Sequence, residues 1–147
     1  MVWMKEFGVP LEIAGAEAVS FQYTTDDITA IIGVSGKLQG NVLYGFSDEV
    51  STEVVKRMIG ETMDARDPMA LSALGEIANV ITGNAATELA ANGFTCDISP
   101  PVIIEPRGST LTSTVPMQIL VTFTSELGTL TARIGLSENA RYQERAA

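Results

Sequence analysis

The sequence predicts an α+β fold in which a mainly antiparallel β-sheet packs against two central helices. Three observations carry this reading. Runs of β-branched and aromatic residues flank the middle of the chain, two well-signalled helices occupy the middle, and 46% of the 147 residues are apolar. That length suits one buried core, so residues 1–147 are read as a single domain.

Residues 1–7 read as the last turns of a helix that stops at Gly8, with Pro10 just beyond. The run from Glu17 to Thr24 alternates loosely around Val19, Phe21 and Tyr23, which predicts a strand. Ile28 to Val34 is β-branched, and Gly40 to Phe46 places Val42, Tyr44 and Phe46 at period two. Ser35-Gly36-Lys37 between them predicts a hairpin turn. Ser47 is a natural N-cap, with Asp48 and Glu49 at the positive end of a helix that runs to about Ile59 and stops at Gly60. Asp67-Pro68 starts a second helix, the aspartate as cap and the proline at the first helical position. It should continue for about 25 residues, to Asn92-Gly93. An extended stretch through Pro100-Pro101 follows, then strands at Val102 to Glu105, Gln118 to Thr124 and Thr129 to Leu136, the last two joined by a turn over Ser125 to Gly128. The polar residues 138–147 read as a frayed tail.

Composition removes whole classes of function. The formal charge is −9 and no segment concentrates Lys or Arg, so neither nucleic acid nor an anionic membrane surface is an expected partner. No apolar run reaches the roughly 20 residues that span a bilayer, and the first residues do not read as a signal peptide. With a lone cysteine, Cys96, which cannot form an internal disulfide, this predicts a cytoplasmic protein. Cys96 itself reads as a small packed hydrophobe. The chain contains no histidine, so a Ser-His-Asp or Cys-His relay cannot be assembled and the commonest zinc ligand is missing. Any chemistry must come from carboxylates, amides, hydroxyls or a partner's groups.

The helix over 68–92 is the most informative segment. At about 100° per residue, Leu71, Leu74, Ala78, Ile81, Ala85 and Leu89 form a core-facing stripe. Ser72, Glu76, Asn79 and Gly83 gather within roughly 60° on the opposite side. Gly75, Ala86 and Ala90 flank them, so one acid and one amide stand above a floor of small residues. A solvated face would normally use Lys, Glu, Gln and Arg, and glycine within a helix costs up to about 1 kcal/mol relative to alanine. Such a face suits close approach by another protein. Gly83 can equally serve to let a neighbouring element of the same chain pack closely.

The run from Ser72 to Ala85 resembles the signature helix of the CheC/CheX/FliY phosphatases of bacterial chemotaxis. That signature has Asp or Ser, Glu four residues on, Asn three further, and a distant Pro; here these are Ser72, Glu76, Asn79 and Pro101. The stretches Thr25-Asp26-Asp27-Ile28, Gly33-Val34-Ser35-Gly36 and Gly40-Asn41-Val42 also resemble the CheX hairpin. The likeness covers about Phe7 to Leu136. Only one Glu-x-x-Asn helix is present, which is similar to single-site CheX rather than to CheC with its two. CheX proteins usually carry a longer helix before the first strand than residues 1–7 provide.

The resemblance implies a CheC-like fold and a phosphatase acting on the aspartyl-phosphate of a phosphorylated CheY-like response regulator in two-component signalling. It assigns Asn79 to orienting water and Glu76 to a lysine of the regulator, with Ser72, Gly75, Gly83 and Ala86 as supporting or docking positions. It implies no cofactor or metal site in this chain, the Mg²⁺ being held by the regulator, and a homodimer that pairs through strand edges such as Gln118 to Thr124. The rival reading is a non-catalytic module of the same fold that binds a regulator or a flagellar-switch component; the Glu76/Asn79 pair favours the enzyme.

Overall fold

Ser47 and Asp67 cap the two helices as their side chains predict. The Ser47 hydroxyl accepts from the Val50 N–H at 3.2 Å, and the Asp67 carboxylate accepts from the Met69 N–H at 2.9 Å. Each such cap is worth about 1 kcal/mol. In this computed structural model, which describes residues 5, 7–24, 28–104 and 110–141, α1 spans Asp48–Ile59 and α2 spans Pro68–Ala91. Gly60 ends α1 in the left-handed region, its N–H returning to the Lys56 carbonyl.

The strands are β1 (Glu12–Thr24), β2 (Ile28–Gly36), β3 (Leu38–Phe46), β4 (Cys96–Ile98), β5 (Val102–Ile104), β6 (Thr110–Ser125) and β7 (Gly128–Glu138). They form one antiparallel sheet in the order β1-β6-β7-β3-β2-β4, with β5 also on β2. The α+β architecture, a mainly antiparallel sheet with two helices, is therefore as expected. Gly40 lets β3 lie close to β7: a Cβ there would collide with the Gly135 carbonyl.

Alternation along the strands sets the core. Ile28, Ala30 and Ile32 of β2 are fully buried, as is Phe46 of β3, while Tyr44 and Val42 are nearly so. They meet Val50, Val54 and Val55 of α1 and Ala70, Leu74, Ile77 and Ala78 of α2 in one cluster. Each large side chain buried there contributes roughly 1.5–3 kcal/mol.

Four expectations change. The strands over Glu17 to Thr24 and Gln118 to Thr124 are parts of longer ones, β1 and β6, which pair along most of their length. The stretch before Pro100 contains a short strand, β4. The core stripe of α2 holds at Leu74 and Ala78, but Leu71, Ile81 and Leu89 are half-buried and Ala85 is exposed. Ile81, Ala85 and Leu89 lie over a cavity of about 530 Å³, which Ile134 and Leu136 of the sheet also line. Finally, β6 lies between β1 and β7, so Gln118 to Thr124 offers no free edge for pairing with a second chain. The edges of the sheet are β1 on one side and β4 with β5 on the other.

No helix among the described residues is long and apolar enough to cross a membrane. The expectations for the first four residues, Glu6, the hairpin residues Thr25-Asp26-Asp27, Glu105 and the tail from Tyr142 lie outside the described residues.

Candidate active site

Burial of Ala70, Leu74, Ile77 and Ala78 against the sheet fixes the rotation of α2. Positions offset by about half a turn must then face outward. Ser72 and Glu76 are exposed, and Asn79 and Gly83 are half-buried, on that outward side. Glu76 and Asn79, three residues apart, are neighbours on the helix surface. The structure therefore brings together the four residues that spacing alone placed on one face.

The two side chains are uncommitted. Thr82, Asn84, Thr87 and Asn92 of the same segment each donate to the carbonyl four residues earlier, at 2.8–3.0 Å. Among the described residues, no hydrogen bond or ion pair engages the Asn79 amide or the Glu76 carboxylate. An amide with a free oxygen and a free NH₂ can accept from one group while donating to another.

The flanking small residues divide. Gly83 is open enough that a Cβ would only touch Ile98, at 3.9 Å. Gly75 is not part of an open floor: it is buried, and a Cβ there would lie 3.2 Å from Pro101 Cγ and 3.5 Å from Ile103 Cδ1. Its lack of a side chain lets the Pro101 ring seat directly on the helix. Ala86 is half-buried and borders the cavity beneath α2. Pro101, far away in sequence, is thus brought beside Glu76 by the packing of β5 and its lead-in against α2. The surface next to the pair is a proline ridge on one side and a glycine step at Gly83 on the other.

Cys96 also borders that cavity. Burial, and then the charge of Asp97, pushes its thiol pKa up, so the reactive thiolate is disfavoured and the packing role holds. A residue that spacing did not single out is Ser99, which ties the proline ridge to β2 through Gly33. The only sequence signal for it is a hydroxyl residue placed directly before Pro100-Pro101.

The donor set on the outward face of α2 is one carboxylate, one amide and one hydroxyl. Among the described residues no group of three or more His, Cys, Asp or Glu side chains is placed to hold a metal ion.

Residues 28–125 match the family described as chemotaxis phosphatase CheX. The CheY-P phosphatase CheX of Thermotoga maritima is 32% identical over 101 residues, which is 68% of this chain and 65% of that protein's length. Among solved structures, the chemotaxis protein CheX from Vibrio vulnificus superposes with a TM-score of 0.81 at 24% identity, covering 92% of this chain and 91% of the other. The CheX of the CheX–CheY–BeF₃–Mg²⁺ complex from Borrelia burgdorferi superposes with a TM-score of 0.72 at 23% identity, covering 93% and 91%.

Proposed function

We propose, from the premise that this chain belongs to the CheX family of chemotaxis phosphatases, that it hydrolyses the aspartyl-phosphate of a CheY-like response regulator in the cytoplasm. The observation that carries this reading is the uncommitted Glu76/Asn79 pair, one turn apart on the outward face of α2 beside Pro101. The relative from Thermotoga maritima bears the name of a CheY-P phosphatase, and the Borrelia burgdorferi CheX was crystallised with CheY.

An aspartyl-phosphate is an acyl phosphate, already activated, and phosphoryl transfer passes through a loose transition state. Positioning then supplies most of the acceleration. Asn79 holds the attacking water in line through its amide oxygen, while its NH₂ donates to the phosphoryl group or to the partner's backbone. Glu76 pairs with a lysine of the regulator and sets the docking angle of the two proteins. Ser72 lies one turn before Glu76 and, being short, keeps the approach clear. Mg²⁺ would be held by the regulator and would supply charge neutralisation at the phosphoryl oxygens.

We also infer a homodimer that leaves each α2 face open. Met117, Ile119 and Phe123 share one side of β6, and Ile13 stands opposite Phe123 on edge strand β1. Ile13 is 68% exposed, Met117 60% and Ile119 52%, an apolar patch that a second copy would cover.

The direct test is the rate at which a phosphorylated CheY-like protein loses phosphate with and without this chain. Faster loss that disappears in Asn79→Ala supports the reading. An unchanged rate with the wild-type chain, for every regulator of the same organism, would sink it.

A further inference from the structure

The outer edge of β2 carries two short strands, and the join between them is irregular. Val34 pairs with Ile98 of β4, and Ile31 pairs with Val102 of β5. Between those pairs, Ile32 and Gly33 on β2 face three residues, Ser99, Pro100 and Pro101. One extra residue opposite a strand makes a bulge, which kinks the chain and re-aims its side chains.

The bulge contains two prolines, which have no N–H to give to β2. Ser99 makes two contacts with Gly33 of β2. Its own N–H donates to the Gly33 carbonyl at 2.9 Å, and its hydroxyl oxygen accepts from the Gly33 N–H at 2.8 Å. The hydroxyl stands where a regular partner strand would offer a carbonyl. Gly33 must stay bare for this, since a Cβ there would be 3.0 Å from Ser99 Oγ. Pinned at Ser99, the chain turns through exposed Pro100 and sets the Pro101 ring on Gly75, the residue before Glu76. It emerges at Val102, which is 59% exposed.

We propose that Ser99 is a positioning residue for regulator docking: its paired hydrogen bonds with Gly33 hold the Pro100–Val102 ridge at the height and distance from Glu76 and Asn79 that the regulator's surface requires. This rests on the phosphatase reading and deepens it by naming a second contact surface beside the pair. Ser99 acts through the ridge and touches neither the phosphoryl group nor the water. Asn79 is carried by α2, whose rotation is fixed by Ala70, Leu74, Ile77 and Ala78 in the core. Loosening the ridge therefore weakens docking and leaves the chemical step alone.

The test is steady-state dephosphorylation of a CheY-like regulator by Ser99→Ala, Ser99→Thr and Gly33→Ala, with melting temperature recorded for each. Ser99→Ala and Gly33→Ala should raise KM by roughly tenfold, equivalent to about 1.4 kcal/mol of docking, with kcat within about twofold of wild type. Ser99→Thr keeps the hydroxyl and should restore most of the wild-type KM. A purely structural role would lower the melting temperature without moving KM in the folded variants. Unchanged KM in active Ser99→Ala or Gly33→Ala overturns the positioning role and leaves the phosphatase reading standing. If the wild-type chain shows no turnover, the phosphatase reading falls instead. Affinity for the beryllofluoride-loaded regulator then decides, and equal affinity of wild type and Ser99→Ala overturns the ridge.

Discussion

The Tyr44 hydroxyl lies 2.8 Å from Thr82 Oγ1, and Thr82 Oγ1 donates to the Ala78 carbonyl at 2.8 Å. Thr82 has one hydrogen and it is committed to Ala78, so Tyr44 is the donor. The bond ties the sheet to the middle of α2, within one turn of Asn79. Tyr44→Phe keeps the ring and removes the donor, and should lower stability by about 1 kcal/mol in chemical denaturation. Burial raises the Tyr44 pKa above its ordinary value of 10.0. Below that ordinary value the phenol is protonated in both folded and unfolded chains, and the group gives no pH dependence. As pH rises past it the unfolded chain releases its proton first, so stability falls. Tyr44→Phe should flatten that alkaline fall; an unchanged slope would assign it to other groups.

Gly83 offers a clean probe of the docking face. A side chain there meets only Ile98 at van der Waals distance, and replacing glycine within a helix adds up to about 1 kcal/mol of helix propensity. Gly83→Lys should therefore melt no lower than wild type yet bind the regulator at least about tenfold more weakly. Ala86→Arg is a poorer choice, because Ala86 borders the cavity under α2 and its enlargement disturbs packing. Wild-type regulator affinity in Gly83→Lys would show that the partner docks elsewhere.

The parts of this fold that could be read from the chain are those fixed locally. Ser47, Gly60, Asp67 and Pro68 act within one turn, and the caps stand where they signal. The β2–β3 hairpin follows its own alternation around Gly36. The beginning of β1 is held by the end of β6, and the beginning of β6 by the end of β1, across register shifts, one of them between Ser20 and Gln22, and no period-two pattern survives such a shift. β4 is three residues long and exists because β2 presents an edge. At the site, helical geometry alone gathers Ser72, Glu76, Asn79 and Gly83. The burial of Gly75 under Pro101 depends on a contact between residues far apart in sequence, and so does the tie between Ser99 and Gly33.

The exposed patch of Ile13, Met117 and Ile119 predicts the assembly. The wild-type chain should scatter light as a dimer at micromolar concentration, and Ile119→Lys as a monomer that remains folded, since that side chain is half-exposed in the single chain. Dephosphorylation by the monomeric variant should persist at near wild-type rate per chain, because α2 lies over other strands. A wild-type monomer would remove the dimer from the proposal without touching the site.

Asn79 and Glu76 should separate by role. Asn79 is assigned to water in the transition state, so Asn79→Ala should lower kcat by roughly 10²-fold or more, with little change in affinity for the phosphorylated regulator or its beryllofluoride mimic. Asn79→Asp should be at least as poor, because the carboxylate loses the NH₂ donor and brings negative charge towards an anionic group. Glu76 is assigned to a lysine on the partner, so Glu76→Ala should weaken binding as well as turnover, and Glu76→Gln should recover only part. Both side chains lie on the outward face of α2 without described partners, so none of these variants should unfold. Rising ionic strength should weaken wild-type docking more than docking of Glu76→Gln, since only the wild type loses a screened ion pair. Near wild-type turnover in Asn79→Ala would strip the helix of its chemistry and leave a docking surface in its place. Equal salt dependence of the two docking affinities would remove the lysine contact from Glu76.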